Sequence, residues 1–245
     1  MRLIDLSREL YHRSPTLPNH PPVTVSPYWT HADKRVAEGV ELSIATMFLT
    51  MGDHSGTHVD APRHFDPRED ALTIDQMPLE RFFTEAICLD LSHKPLKSDI
   101  SVADLEAAEQ ATGEQIKNGD TVFLYTGFNE RVGETPAYLT DFPGLVKGSA
   151  EWLGKRGVGI FGVEALSPGR PFKNNFEVHL VCRDMGFTHI EGLLNLDQLV
   201  GRGRFRFMGF PLRIRGGTGS PIRAVAWLDD QDQAPVRRVE TSSRR

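Results

Sequence analysis

Residues Asp53 to Phe65 read Asp-His-Ser-Gly-Thr-His-Val-Asp-Ala-Pro-Arg-His-Phe. Three of the chain's nine histidines, His54, His58 and His64, fall in this run together with Asp60. Even scattering would leave so short a window with fewer than one histidine. Imidazole and carboxylate groups bind divalent metals, and imidazole also moves protons near neutral pH. The run points to a metal-dependent reaction that includes a proton transfer.

His54, Gly56, His58, Asp60, Pro62 and His64 share one parity, so an extended chain turns them to one side. A fully extended step from His54 to His58 would separate their Cα atoms by roughly 13 Å. That is the limit for two imidazoles sharing one ion with nitrogens at about 2.1 Å. Curling around Ser55-Gly56-Thr57 is therefore required, and Gly56 permits it. Gly56, Thr57, Val59 and Pro62 make a poor helix, so the segment reads as a tight turn feeding a short strand. Two imidazoles and the Asp60 carboxylate leave coordination positions open, as catalytic sites do. A carboxylate can also bridge two ions. Water bound at such a site becomes a nucleophile near neutral pH. His64 lies past Pro62, where the chain can change direction, and this marks it for proton transfer. Histidines that merely cap surface turns would explain one His-x-x-x-His pair. They do not explain the whole run with its aspartate, glycine and proline.

These residues need a scaffold. Arg2–Ser7 alternates apolar and polar residues and predicts a first strand. Arg13–Pro27 is rich in proline and predicts an irregular or extended loop. Val40–Met51 alternates as a strand leading into the histidine run. Ala86–Leu91 and Thr121–Tyr125 predict short buried strands. Ser101–Gln110 predicts a helix with Ser101 as N-cap. Ser149–Arg156 predicts another, stopped by Gly157, before a buried strand at Val158–Val163. Asn175–Met185 has the pattern of an amphipathic helix ended by Gly186. Thr188–Leu193 follows as a strand or its end. Arg204–Arg215 reads as a strand, the chain turns at Gly216–Gly219, and Ile222–Leu228 completes a hairpin. Strands and helices mix without strict alternation, which predicts a single α/β or α+β domain over residues 1–229. The polar composition of residues 230–245 predicts a flexible tail.

A chain of 245 residues, 39% hydrophobic and 25% charged, can bury a full core. Its net charge of -5 favours neither nucleic acid nor an anionic membrane as partner. The two cysteines, Cys88 and Cys182, sit in apolar stretches and read as buried free thiols. Together with the lack of a signal-peptide pattern, they predict a cytoplasmic protein.

The run from His54 to His64 resembles the signature of the cyclase-like metal-dependent hydrolases, a family that includes bacterial kynurenine formamidase and isatin hydrolase. The opening Asp5-Leu6-Ser7, the proline-rich loop and the closing Gly216-Gly217-Thr218-Gly219-Ser220-Pro221-Ile222-Arg223-Ala224 carry the resemblance across most of the chain. It implies an α/β, swivelling β/β/α-type fold with a mixed sheet and flanking helices. It also implies one or two divalent ions, zinc or manganese, held by His54, His58 and Asp60. Asp60 would bridge to a second position completed by a later histidine and a glutamate twelve residues on, which His179 and Glu191 match. His189 shares a strand face with Glu191 and is read as a supporting or surface residue. His64 matches the family's catalytic histidine. The implied reaction is hydrolysis of a C–N bond in a small amide, formamide or lactam, in which His64 donates a proton to the leaving group. A lactone substrate on the same site, or ions that only brace the fold, are the rival readings. Kynurenine formamidases carry a substrate-packing tryptophan in the proline-rich loop. Leu17 stands in the corresponding stretch here, which weakens N-formylkynurenine as substrate. The resemblance further implies a homo-oligomer, a dimer or tetramer, with a small-molecule substrate as its other partner.

Overall fold

Short apolar runs become strands, and nine of those among the described residues join one mixed sheet. In the computed structural model, which describes residues 1–229, they are β1 (Arg2–Asp5), β2 (His58–Asp60), β3 (Phe83–Asp90), β4 (Thr121–Tyr125), β5 (Ile160–Val163), β6 (Thr188–Glu191), β7 (Phe205–Met208), β8 (Gly219–Pro221) and β9 (Val225–Leu228). Their spatial order is β1-β9-β7-β3-β4-β5-β6-β2-β8. The central strands β3, β4, β5 and β6 run parallel. Parallel neighbours need crossovers, and four helices supply them. Helix α1 (Val102–Thr112) joins β3 to β4. Helices α2 (Phe128–Val132) and α3 (Lys147–Lys155) join β4 to β5, and α4 (Asn175–Met185) joins β5 to β6. Antiparallel strands extend the sheet on both sides.

The connectivity forces this sheet to curl. Strand β8 ends the spatial order and β9 stands near the opposite end, yet only residues 222–224 separate them in sequence. Four Cα steps reach at most about 14 Å, so the two ends must approach. Hydrogen bonds close the gap. The Ile222 amide donates to the Thr57 carbonyl at 2.9 Å, and the Leu6 amide to the Ala224 carbonyl at 2.8 Å.

Strand alternation then fills two separate cores. Ala86, Cys88, Phe123, Ile160 and Ile190 face the inside of the curl, with Val59, Phe205 and Phe207. Ile87, Leu89, Val122, Leu124 and Phe161 face outward under the helices. Phe123 is fully buried, stacks on Phe205 at 6.1 Å and meets Phe207 edge-on at 5.3 Å. Phe123→Ala is expected to cost about 3–5 kcal/mol by equilibrium urea unfolding. A loss below about 1 kcal/mol would mean that the interior of the curl is not close-packed.

Several boundaries follow local chemistry. Ser101 accepts from the Asp104 amide while the Asp104 carboxylate accepts from the Ser101 amide, which starts α1. Gly186, at φ 75°, closes α4 where a side chain would be strained.

Elsewhere the structure departs from the sequence pattern. Thr24–Trp29 is not loop. It pairs antiparallel with Thr46–Thr50, and the register shifts between Pro27 and Trp29. A two-stranded ribbon is all edge, so a proline there costs no interior ladder bond. The expected strand Val40–Met51 breaks in two, and Val40–Leu42 pairs with Arg35–Ala37. The expected strand Arg204–Arg215 stops at Met208, and beyond it Pro211 makes an isolated bridge to Ile222. The expected hairpin partners do meet, since β7 pairs antiparallel with β9 and Met208 stands opposite Val225, but residues 209–224 connect them in place of a tight turn. Within that connection Gly219–Pro221 pairs with β2, and β9 pairs on its other side with β1. Alternation reveals the pair but not the short strand inserted between its members. The expected tail over 230–245 lies outside the described residues. Among the described residues, no helix is long and apolar enough to cross a membrane.

Candidate metal centre

Strands β2 and β6 pair antiparallel, with His58 opposite Glu191 and Val59 opposite Ile190. Alternation sends Val59 and Ile190 into the curl. It sends His58, Asp60, His189 and Glu191 to the helix side, where all four are buried at 3%, 1%, 0% and 4% exposure. Helix α4 packs beside them and contributes His179, also buried. His54 precedes β2 in a loop curled at Gly56, whose φ is 63°. His64 ends the short 3₁₀ turn Pro62–His64.

Asp60 is the hub. Its Oδ1 lies 2.8 Å from His54 Nδ1 and 3.5 Å from His58 Nε2. Its Oδ2 lies 3.2 Å from His189 Nε2 and 3.8 Å from both His179 Nε2 and His64 Nε2. Glu191 links the same groups, with Oε1 3.1 Å from His189 Nε2 and Oε2 3.4 Å from His58 Nε2. Two donor sets result, His54/His58/Asp60 and Asp60/His179/His189/Glu191, and within each set the donor atoms lie within 4.8 Å of one another.

The residues fit a divalent cation. Two carboxylates this deeply buried are costly without positive charge beside them. Burial works against charge on Asp60, but His189 and His54 hold its carboxyl well below the usual range. Burial likewise opposes a proton on His189, yet Asp60 lifts its pKa well above the ordinary value. The field that favours a proton there also favours a metal ion. The ring orientations suit this. His58 Nδ1 donates to the Gly56 carbonyl at 3.0 Å, and His179 Nδ1 to the Asn175 carbonyl at 2.8 Å. Each Nε2 is thereby left facing the carboxylates, the usual way in which a protein orients a metal-binding imidazole. Imidazole with carboxylate suits zinc and manganese alike.

His64 differs from the others. Its ring centroid is 4.1 Å from that of His54, but its side chain keeps 30% exposure. Partial burial pushes its pKa down to about 4, so the ring is neutral near pH 7.

All five expected ligands, His54, His58, Asp60, His179 and Glu191, come together around one centre, with His64 at its open side. His189 is not at the surface. It lies inside the second donor set, and its shared strand face with Glu191 was the signal for that. His20 has no such signal in the sequence. It reaches the site from the proline-rich loop, with its ring 5.6 Å from His54. Phe65 borders the centre, 5.9 Å from the His179 ring and 6.2 Å from His189, and Leu17 packs with it on the helix-side core.

Comparison with known proteins agrees with this architecture. Residues 4–170 match the family described as "Putative cyclase". Over 195 residues the chain is 32% identical to the isatin hydrolase of Roseibium aggregatum, covering 73% of each protein. It is 28% identical over 224 residues to the kynurenine formamidase of Erythrobacter litoralis, covering 91% of this chain and 93% of that one. Its structure matches that of isatin hydrolase A from Ralstonia solanacearum with a TM-score of 0.80 at 30% identity, over 93% of this chain and 92% of the other. The α/β fold with a mixed sheet is thus shared with these enzymes. On sequence match and on fold, the chain belongs to the cyclase family.

Proposed function

We propose that the chain is a metal-dependent hydrolase that cleaves the C–N bond of a small amide, formamide or lactam. One observation carries the reading: a buried carboxylate, Asp60, is shared by two clusters of imidazoles beside an open histidine. The relatives named isatin hydrolase and kynurenine formamidase support the substrate class. His54, His58 and Asp60 would hold one zinc or manganese ion. Asp60, His179, His189 and Glu191 would hold a second. Such an ion, when bound, supplies an activated water and a Lewis acid for the substrate carbonyl.

The chain's own groups do the rest. His64 is neutral at pH 7, so it takes a proton from the attacking water and then passes that proton to the leaving nitrogen. Its partial exposure lets it meet substrate. Phe65 offers an apolar wall beside the centre, and Leu17 packs against the same helix-side core. Leu17 presents no aromatic face, which favours a compact cyclic or linear amide over a long aryl side chain. Residues 1–229 form the catalytic domain in this reading. The protein is a cytoplasmic homo-oligomer without nucleic-acid or membrane partners. Two observations support that part: the buried free thiols Cys88 and Cys182, and the exposed apolar Met47, Phe48 and Leu49 on the ribbon.

A panel of formamides, isatin-type lactams and lactones, run with and without a chelator, tests the proposal. Chelator-sensitive turnover of a formamide or lactam is expected. Turnover of lactones alone would move the assignment to ester chemistry, and indifference to the chelator would remove the metal.

A further inference from the structure

The closing Gly216-Gly217-Thr218-Gly219 segment has no part in the reaction as described, yet it reaches the centre. Strand β8 pairs with β2 so that Gly219 stands opposite Asp60. The preceding Thr218 places its Oγ1 2.9 Å from His54 Nε2 and 2.8 Å from Asp53 Oδ2. We infer that Asp53 and Thr218 are positioning residues that fix the His54 ring with its proton on Nε2 and its Nδ1 turned toward Asp60. This rests on the reading of His54 as a ligand.

Counting hydrogens gives the assignment. An Asp53 carboxylate can only accept. Its Oδ2 takes the Thr218 amide at 2.9 Å, the Thr218 hydroxyl at 2.8 Å and the Gly219 amide at 3.2 Å. The hydroxyl has one hydrogen, and Asp53 receives it. Toward His54 the same oxygen can only accept, so Nε2 must be the donor. That leaves Nδ1 facing Asp60 Oδ1 at 2.8 Å, where a proton bridges the pair in the metal-free protein and a bound ion would replace that proton. His58 and His179 are held the opposite way, by Nδ1 on backbone carbonyls. The first donor set therefore draws on both kinds of imidazole nitrogen. Backbone carbonyls fix His58 and His179 wherever those helices and strands form. His54 depends on a side-chain relay between segments more than 160 residues apart.

Gly219 completes the seat. A Cβ there would lie 2.7 Å from His54 Cε1 and 3.0 Å from Nδ1, so the ring rests directly on the glycine backbone. The motif thus reads as Thr for the relay and Gly for the space.

The test uses the full chain loaded with zinc. Residues that orient a metal-binding imidazole change affinity by about 10- to 100-fold when removed. Thr218→Val keeps the shape and removes the acceptor. It is expected to weaken zinc binding by that factor in competition with a chromogenic chelator. Thr218→Ser should recover most of the loss. Long-range 1H–15N spectra of the zinc-loaded wild type should place the His54 proton on Nε2, and those of His58 and His179 on Nδ1. The spectrum does not depend on the variants folding well. Wild-type zinc affinity in Thr218→Val, with only its melting temperature lowered, would reduce the pair to a turn staple. A His54 proton on Nδ1 would overturn the inference outright. In either case the hydrolase reading stands. If the wild type binds neither zinc nor manganese, both fall together.

Discussion

Asp60→Asn is expected to remove hydrolysis almost entirely, lowering kcat/KM by more than about 1,000-fold, beyond the 10- to 100-fold typical of residues that only orient a ligand. The reason is its place in the site. Oδ1 faces His54 and His58, while Oδ2 faces His179, His189 and His64. Glu191 also reaches both sets, through His189 and His58, but among the described residues Asp60 is the member common to the two donor sets. Asparagine keeps the size but loses the negative charge and replaces one acceptor with a donor aimed at imidazoles. Bound metal should fall with activity, as measured by elemental analysis after gel filtration. The substitution also leaves four buried imidazoles facing one fewer carboxylate, and breaking such a buried charge group costs about 3–5 kcal/mol. The melting temperature of metal-free protein should therefore change as well. Metal content and activity both within about tenfold of wild type, a difference of roughly 1.4 kcal/mol, would show that Asp60 is not the hub.

His64→Ala separates chemistry from metal binding. Removing a positioned acid–base group lowers kcat by about 10²- to 10⁴-fold. The bound ion should remain, because His64 belongs to neither donor set. Stability should remain too. The side chain is 30% exposed and ends a short 3₁₀ turn held by its own backbone bonds, and such substitutions usually stay within about 0.5 kcal/mol. Metal content and melting temperature would be measured on the same sample as kcat. Loss of metal in step with loss of rate would make His64 a ligand and leave the proton transfer without a carrier.

The parts of this account that were legible in the sequence are local. The strand Thr121–Tyr125 and the helix Asn175–Met185 have the bounds that their apolar patterns and flanking turns predict. Ser101 caps α1 because an N-cap acts on amides within one turn. The histidine run is legible because its members are close in sequence, and Gly56 supplies the curl that the reach of two imidazoles demands.

What was not legible depends on distant partners. The pairing of β7 with β9 was foreseen as a hairpin, but alternation was silent about Gly219–Pro221, which leaves their connection to pair with β2. That excursion spans the gap of the curled sheet and carries Thr218 to His54. His179 and Glu191 entered through resemblance, because nothing in their own neighbourhoods brings them together. His189 had the right parity beside Glu191, but parity names a face and not what covers it. Helix α4 and the rings of Phe161 and Phe65 cover that face and bury His189 completely.

Elemental analysis of protein purified without added metal or chelator bears on all of this at once. Roughly one or two equivalents of zinc or manganese per chain are expected, as the two donor sets allow. Stripping the metal should abolish turnover and adding it back should restore it. Active protein carrying less than about 0.1 equivalent of any divalent metal, far below one ion per site, would contradict the account.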